Sequence, residues 1–272
     1  MLVDQETADR VARLELPFSS FGYDPYGISR DAVARAMSLA RIFYRHYFKV
    51  TVRGLEHVPA RGRAMLIGNH SGGVALDASI VISAVFFDME PPRLAQGMAE
   101  KFINRVPFIS KWANRTGHFT GLPEQAARLL RDERLLMVFP EGARGTAKLF
   151  PERHSLVQFG TGFMRLALET GTPIVPFAFL GGGEAIPTVF NAYRLGKILG
   201  APYVPITPWL APIPLPVRLH LRFGAPLSFQ GDGSENDEVV TGYVERVKQV
   251  IARMLAEGVA ERSGRQPHEA ES

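Results

Sequence analysis

Ala64-Met-Leu-Ile-Gly-Asn-His-Ser-Gly-Gly-Val-Ala-Leu-Asp77, continued by Ala78-Ser-Ile-Val-Ile-Ser-Ala-Val-Phe-Phe-Asp88, reads as strand, turn and helix. Ala64–Gly68 is short and wholly apolar, as a strand buried on both faces must be. Gly72-Gly73 softens the turn, and residues 77–88 have helical length. The same rhythm recurs outward from this unit. Leu135-Leu-Met-Val-Phe139 is a second buried strand, ending in Pro140-Glu-Gly. Ile174–Leu180 is a third, with Pro176 inside it, and Val217–Phe223 alternates as a fourth. Lys49–Arg53 alternates as a strand before the first unit. Helices are predicted over 4–16, 30–48, Pro123–Asp132, 159–170 closed by Gly171, and Asp237–Glu257. Strands alternating with helices predict an α/β fold, a mixed, mostly parallel sheet flanked by helices. An amphipathic helical segment precedes it.

The expected organisation is an N-terminal helical segment 1–48 with possible membrane contact, one domain over 49–262, and a polar, disordered tail over 263–272. At 272 residues, 46% hydrophobic and 21% charged, the chain can build a large core. Its net charge of +4 and pI near 9.5 come without long Lys/Arg runs, which argues against a nucleic-acid binder. A mildly basic surface also suits anionic lipid headgroups. The absence of cysteine removes disulfides, thiolate nucleophiles and Cys-based metal sites, and fits the cytosol. The first six residues are already acidic, so no signal peptide is expected.

Ala78–Phe87 is too short to span a bilayer. Ile198–Val217 is uncharged but holds six prolines, so no regular helix is expected there. Two readings stand for the aromatic, basic helix 30–48: a face docked on a membrane interface, or a helix packed on the core with its basic edge solvated. The proline-rich stretch, with Tyr203 and Trp209, is either a second membrane-facing element or an irregular loop over the core.

His70 can serve as a general base near neutral pH, and a carboxylate beside it would fix its tautomer. On one continuous helix His70 and Asp77 would sit about 10 Å apart. Gly72-Gly73 instead allows a loop that folds Asp77 back. The blander alternative is a capped turn with an incidental His. No Gly-x-Ser-x-Gly occurs, which sets aside a serine-hydrolase elbow. Phe139-Pro140-Glu141-Gly142-Ala143-Arg144 leaves the carboxyl end of a strand, where α/β folds bind ligands, and Arg144 has the donors to grip an anion.

Taken in order, Asn69-His70, Phe139–Arg144 and Pro173-Ile-Val-Pro-Phe177 resemble the motifs of the glycerolipid acyltransferase superfamily, the lysophospholipid and glycerol-phosphate acyltransferases. The resemblance covers about residues 45–228. There are departures. Six residues, not four, separate His70 from Asp77; Ala143 replaces Thr; and Pro123 stands where the family carries a phosphate-binding Arg. The Gly-Gly loop, Gly117…Pro123-Glu-Gln-Ala126 and Phe159-Gly-Thr-Gly-Phe-Met-Arg-Leu-Ala167 look more like the monoacylglycerol/diacylglycerol acyltransferase-like branch.

The resemblance implies that His70 and Asp77 are the catalytic pair. Glu141, Gly142, Arg144, Asn69, Gly72 and Gly73 would be substrate-binding, with Arg115 and His118 as further candidates to line the pocket. It implies an acyl thioester of coenzyme A or acyl carrier protein as donor, a lipid hydroxyl as acceptor, and neither a metal nor another cofactor. A location in the cytoplasm, peripheral on the inner face of the cell membrane, follows from the same resemblance. Neutral-lipid or alcohol acylation, and a catalytically silent lipid binder on the same fold, are the alternatives.

Overall fold

The computed structural model describes residues 3–71, 76–99, 107–120 and 123–264. Its helices are α1 (Gln5–Ala12), α2 (Arg30–Arg41), α3 (Leu76–Phe87), α4 (Pro107–Arg115), α5 (Pro123–Arg131), α6 (Ala143–Thr146), α7 (Gly162–Thr170), α8 (Gly182–Ala185), α9 (Tyr193–Leu199) and α10 (Asp237–Arg262). Its strands are β1 (Thr51–Arg53), β2 (Ala64–Gly68), β3 (Ala95–Ala99), β4 (His118–Thr120), β5 (Leu135–Val138), β6 (Ile174–Leu180), β7 (Phe190–Ala192), β8 (Val204–Ile206) and β9 (His220–Phe223).

Seven strands form one sheet in the order β1-β9-β6-β2-β5-β3-β4. All of its neighbours are parallel except β6 and β9. This is the mostly parallel α/β sheet expected from the sequence. The strand of the opening quotation, β2, lies at its centre between β5 and β6.

Strand alternation divides the core into two layers. Leu66, Val175, Phe177 and Phe179 face α2 and α3, whose Val33, Met37, Ile80, Val81 and Phe86 complete that layer. Met65, Ile67, Ala178 and Leu180 face α5, α7 and α10. Every residue of β2 and β6 is buried, which explains why both read as unbroken apolar runs. Val11 and Leu14 of the α1 region join the first layer.

The structure corrects several boundaries. The helix expected over 30–48 is α-helical only to Arg41; Ile42–Tyr47 is a π-helical turn, in which Phe48 donates its amide to Phe43 O at 2.9 Å. This widening buries Tyr44 and Phe48 while leaving Ile42, Phe43 and Tyr47 exposed. α10 continues past Glu257 because Gly258 lets the helix close on Leu180, whose Cδ1 lies 2.8 Å from where a Cβ would stand. The proline-rich stretch 198–217 is irregular, as expected, apart from the end of α9 and strand β8. α9 and the antiparallel hairpin β7–β8 occupy most of residues 190–206. The expected tail lies outside the described residues from 265 onward. Among the described residues no helix is long and apolar enough to cross a membrane.

Candidate active site

Site residues gather where β2 and β5 deliver their loops. At the end of β2 the main chain turns away from β6, and Asn69 continues the ladder with its side chain. Its Nδ2 donates to Phe179 O at 3.0 Å, and its Oδ1 accepts from Phe179 N at 2.8 Å. Both polar groups of this fully buried amide are thereby used within the fold rather than offered to a substrate. Asn69→Ala would strand two buried backbone groups and should cost at least ~2 kcal/mol, read as a lower thermal midpoint.

The next residue, His70, is the centre of the site. Its Nδ1 lies 2.9 Å from Asp77 Oδ2, so the six intervening residues do not hold the pair apart. Asp77 sits in the first turn of α3 and is 1% exposed. Its Oδ2 also accepts from Ser71 N at 3.1 Å, and its Oδ1 from Ala78 N at 2.8 Å. An acceptor-only carboxylate in this position fixes the proton on Nδ1 and leaves the Nε2 lone pair free. The imidazole stacks on Phe139 with ring centres 4.0 Å apart and an interplanar angle of 10°. Two directions of motion are therefore closed to the ring. Gly72 and Gly73, the expected substrate-binding glycines of this turn, lie outside the described residues.

Glu141 was expected to shape the acceptor pocket, but it points into the protein and is 2% exposed. Its carboxylate accepts from His70 N at 2.9 Å and Val157 N at 2.8 Å. It also pairs with Lys148 Nζ at 2.6 Å. Lys148, equally buried, donates in addition to His70 O at 2.8 Å. The ion pair thus holds both main-chain polar groups of His70. Burial pushes the Lys148 pKa below the ordinary lysine value, against the pull of Glu141.

The loop between these two residues depends on glycine. Gly142 adopts φ 55°, ψ −153°, a conformation confined almost wholly to glycine. A Cβ at Gly145 would lie 2.6 Å from Glu141 Cβ and 2.8 Å from His70 Cβ. Gly145→Ala should therefore displace the His70 ring and lower kcat by about tenfold or more, with a smaller effect on KM. Arg144 is exposed, and its one contact among the described residues is a long one from Nη2 to Gln158 O at 3.5 Å. Its guanidinium is exposed on the loop that joins Glu141 to Lys148.

Lys148 and Gly145 were not singled out from the sequence. A lone Lys in the stretch Ala147-Lys148-Leu149-Phe150 carries only one hint, its apolar neighbours. His118 and Arg115, the minor candidates, belong to the far edge of the sheet. His118 stacks on Trp112 at 6.2 Å, and burial pushes its pKa down to about 4. No contact among the described residues joins either to His70. Pro123, at the expected phosphate-binding position, opens α5.

Comparison with known proteins identifies the family to which the chain belongs. The Acyltransferase family model matches residues 49–180. An uncharacterized protein of Mycobacterium tuberculosis is 34% identical over 251 residues, 87% of this chain and 69% of that protein. The chain belongs to the glycerolipid acyltransferase superfamily.

A 1-acyl-sn-glycerol-3-phosphate acyltransferase of Limnanthes alba is 28% identical to this acyltransferase over 185 residues, 63% of this chain and 57% of the plant protein. The crystal structure of a 1-acyl-sn-glycerophosphate acyltransferase from Thermotoga maritima superposes with a TM-score of 0.58 at 17% identity. That match covers 84% of this chain and 80% of the other, and establishes the shared fold. Family membership implies an acyl donor and a lipid acceptor.

Proposed function

We propose that this acyltransferase moves a fatty acyl group from a thioester, acyl-CoA or acyl-ACP, to a hydroxyl of a glycerolipid-like acceptor such as a lysophospholipid. The single observation behind this reading is the 2.9 Å contact between His70 Nδ1 and Asp77 Oδ2, which leaves Nε2 as the base of a side chain that is 11% exposed. His70 Nε2 takes the acceptor hydroxyl proton as the oxygen attacks the thioester carbonyl. Asp77 steadies the imidazolium that forms. The tetrahedral intermediate then collapses, the C–S bond breaks, and the imidazolium returns its proton to the departing thiolate. Ester and free thiol are the products. A thioester is already activated, so the proposal includes no cofactor, metal or covalent enzyme intermediate.

Arg144 is assigned to an anionic group, either the donor's phosphate or the acceptor's headgroup. Arg144→Ala should raise KM for that substrate roughly 10- to 100-fold while changing kcat little, in proportion to a lost charged hydrogen bond.

A second reading, acylation of a neutral acceptor such as monoacylglycerol, diacylglycerol or a long-chain alcohol, is favoured by Pro123 at the expected phosphate-binding position. Thiol release measured across lysophosphatidate, other lysophospholipids, monoacylglycerol, diacylglycerol and a long-chain alcohol separates the two. Preference for a phosphorylated acceptor supports the first reading, and preference for an uncharged one the second. Silence with every acceptor and both donors counts against acyl transfer and for a lipid binder on the same fold.

A further inference from the structure

Residues 185–231 contain no Asp or Glu. Within this acid-free stretch the protein exposes an unusual amount of apolar surface. Six of the seven residues of α9 are exposed; only Gly196 is buried, against the backbone of Tyr203, where a Cβ would stand 2.4 Å from Tyr203 Cα. Helices packed on a core hide their large side chains, yet Tyr193, Ile198 and Leu199 of α9 are 60%, 80% and 60% exposed. Phe190 on the hairpin, and Leu210 and Ile213 beyond it, are equally bare.

Leu210 reaches its position through φ 65°, a left-handed conformation in which glycine is the ordinary choice. The loop therefore presents a large apolar side chain where its backbone favours none. Arg194 and Lys197 flank these residues, both exposed, and neither makes an ion pair among the described residues.

This surface adjoins the candidate active site. Asn191 Nδ2 donates to Ala147 O at 2.6 Å, beside the loop that carries Arg144 and Lys148. Phe150 N donates to Thr188 O at 2.8 Å. From the other side, Tyr47 of the π-helical turn donates its hydroxyl to Pro214 O at 2.7 Å, bringing exposed Ile42 and Phe43 into the neighbourhood. That turn also lies in an acid-free stretch, residues 32–55.

We propose that Phe190, Tyr193, Ile198, Leu199, Leu210 and Ile213, flanked by Arg194 and Lys197, dock this chain on an anionic phospholipid bilayer. The inference rests on the lipid-acceptor reading above, since such an acceptor has to be drawn from a membrane. Apolar and aromatic side chains mixed with unpaired cations, on a stretch of chain without carboxylates, complement an interface of acyl chains beneath anionic headgroups. In a symmetric contact between two copies this acid-free stretch would meet itself and offer Arg194 and Lys197 no carboxylate, which disfavours a self-interface.

The test is vesicle sedimentation of the purified full chain with phosphatidylcholine vesicles and with phosphatidylcholine–phosphatidylglycerol vesicles. In parallel, acyl transfer to a short-chain, water-soluble acceptor and the molar mass in solution are measured. Wild type should sediment with the mixed vesicles. Ile198→Glu combined with Leu210→Glu should lower the partition coefficient about 100-fold, from lost apolar burial and added repulsion. Both sites are exposed, so melting and transfer to the soluble acceptor should stay at wild-type values. Arg194→Gln with Lys197→Gln should weaken binding roughly tenfold, and only to the anionic vesicles.

Wild type that does not sediment, or glutamate variants that bind as wild type does, would overturn the proposal. So would a dimer that the glutamate variants dissociate. Sedimentation without turnover on any acceptor retains the docking surface and removes the acyl-transfer reading instead.

Discussion

Replacing His70 with Ala should lower kcat for acyl transfer by about 10²–10⁴-fold while leaving the fold intact. The fold should survive because the anchoring bonds to residue 70 are made by its main chain, from Glu141 and Lys148. Ser71 N and Ala78 N still satisfy Asp77 in the variant. What disappears is the imidazole, the side chain assigned to take the acceptor's proton. KM should change little, since the ring acts as the hydroxyl attacks rather than in binding. Asp77→Asn should also cost a large part of the rate, because an amide can hold the ring in the wrong tautomer. Steady-state rates read together with thermal melts check both variants. Partial rescue of His70→Ala by added imidazole would separate a missing base from a distorted site.

The second large effect concerns stability. Lys148→Met leaves Glu141 as a buried carboxylate without its cation, and should cost about 3–5 kcal/mol. For a chain of this size that corresponds to a fall of roughly 10 °C in thermal midpoint. Glu141→Leu should cost at least as much, because Lys148 is then stranded and His70 N and Val157 N lose their acceptor. The double variant Glu141→Leu/Lys148→Met should be more stable than either single one, since no uncompensated charge remains. It should nonetheless stay slow, because the bonds to His70 N and His70 O are then gone. Stability that returns while kcat does not would mark the pair as a positioning device. Recovery of both would show that His70 needs no such clamp.

The fold was legible where burial dictates composition. β2, β5 and β6 are buried on both faces, so their sequences are continuous apolar runs that admit few other readings. Helix ends were legible where capping chemistry is local, as at Gly171, which closes α7 at φ 60°. The π-helical turn was hidden, because its wider hydrogen bonding leaves no distinct residue pattern. The prolines of 202–216 suggested irregular chain throughout. They spared α9, which precedes them, and Pro205 falls within the edge hairpin, where a missing amide is tolerated.

At the site, residue types were legible but directions were not. His70, Asp77 and Arg144 announce their chemistry by type and order. Asn69 and Glu141 lie in the same motifs, yet their side chains serve the backbone of Phe179 and of His70. That distinction depends on how strands β2, β5 and β6 sit beside one another. Lys148 was invisible for the same reason, since its partners are seven and seventy-eight residues away.

The central claim is that a His70-activated hydroxyl attacks an acyl thioester directly. Its most direct test is to quantify free thiol and new ester together, from one reaction of purified protein with an acyl thioester and the best acceptor of the panel. The account predicts one ester per thiol, no thiol above background without acceptor, and loss of both products together in His70→Ala. Thiol released without ester, or ester formation undiminished by His70→Ala, would contradict it.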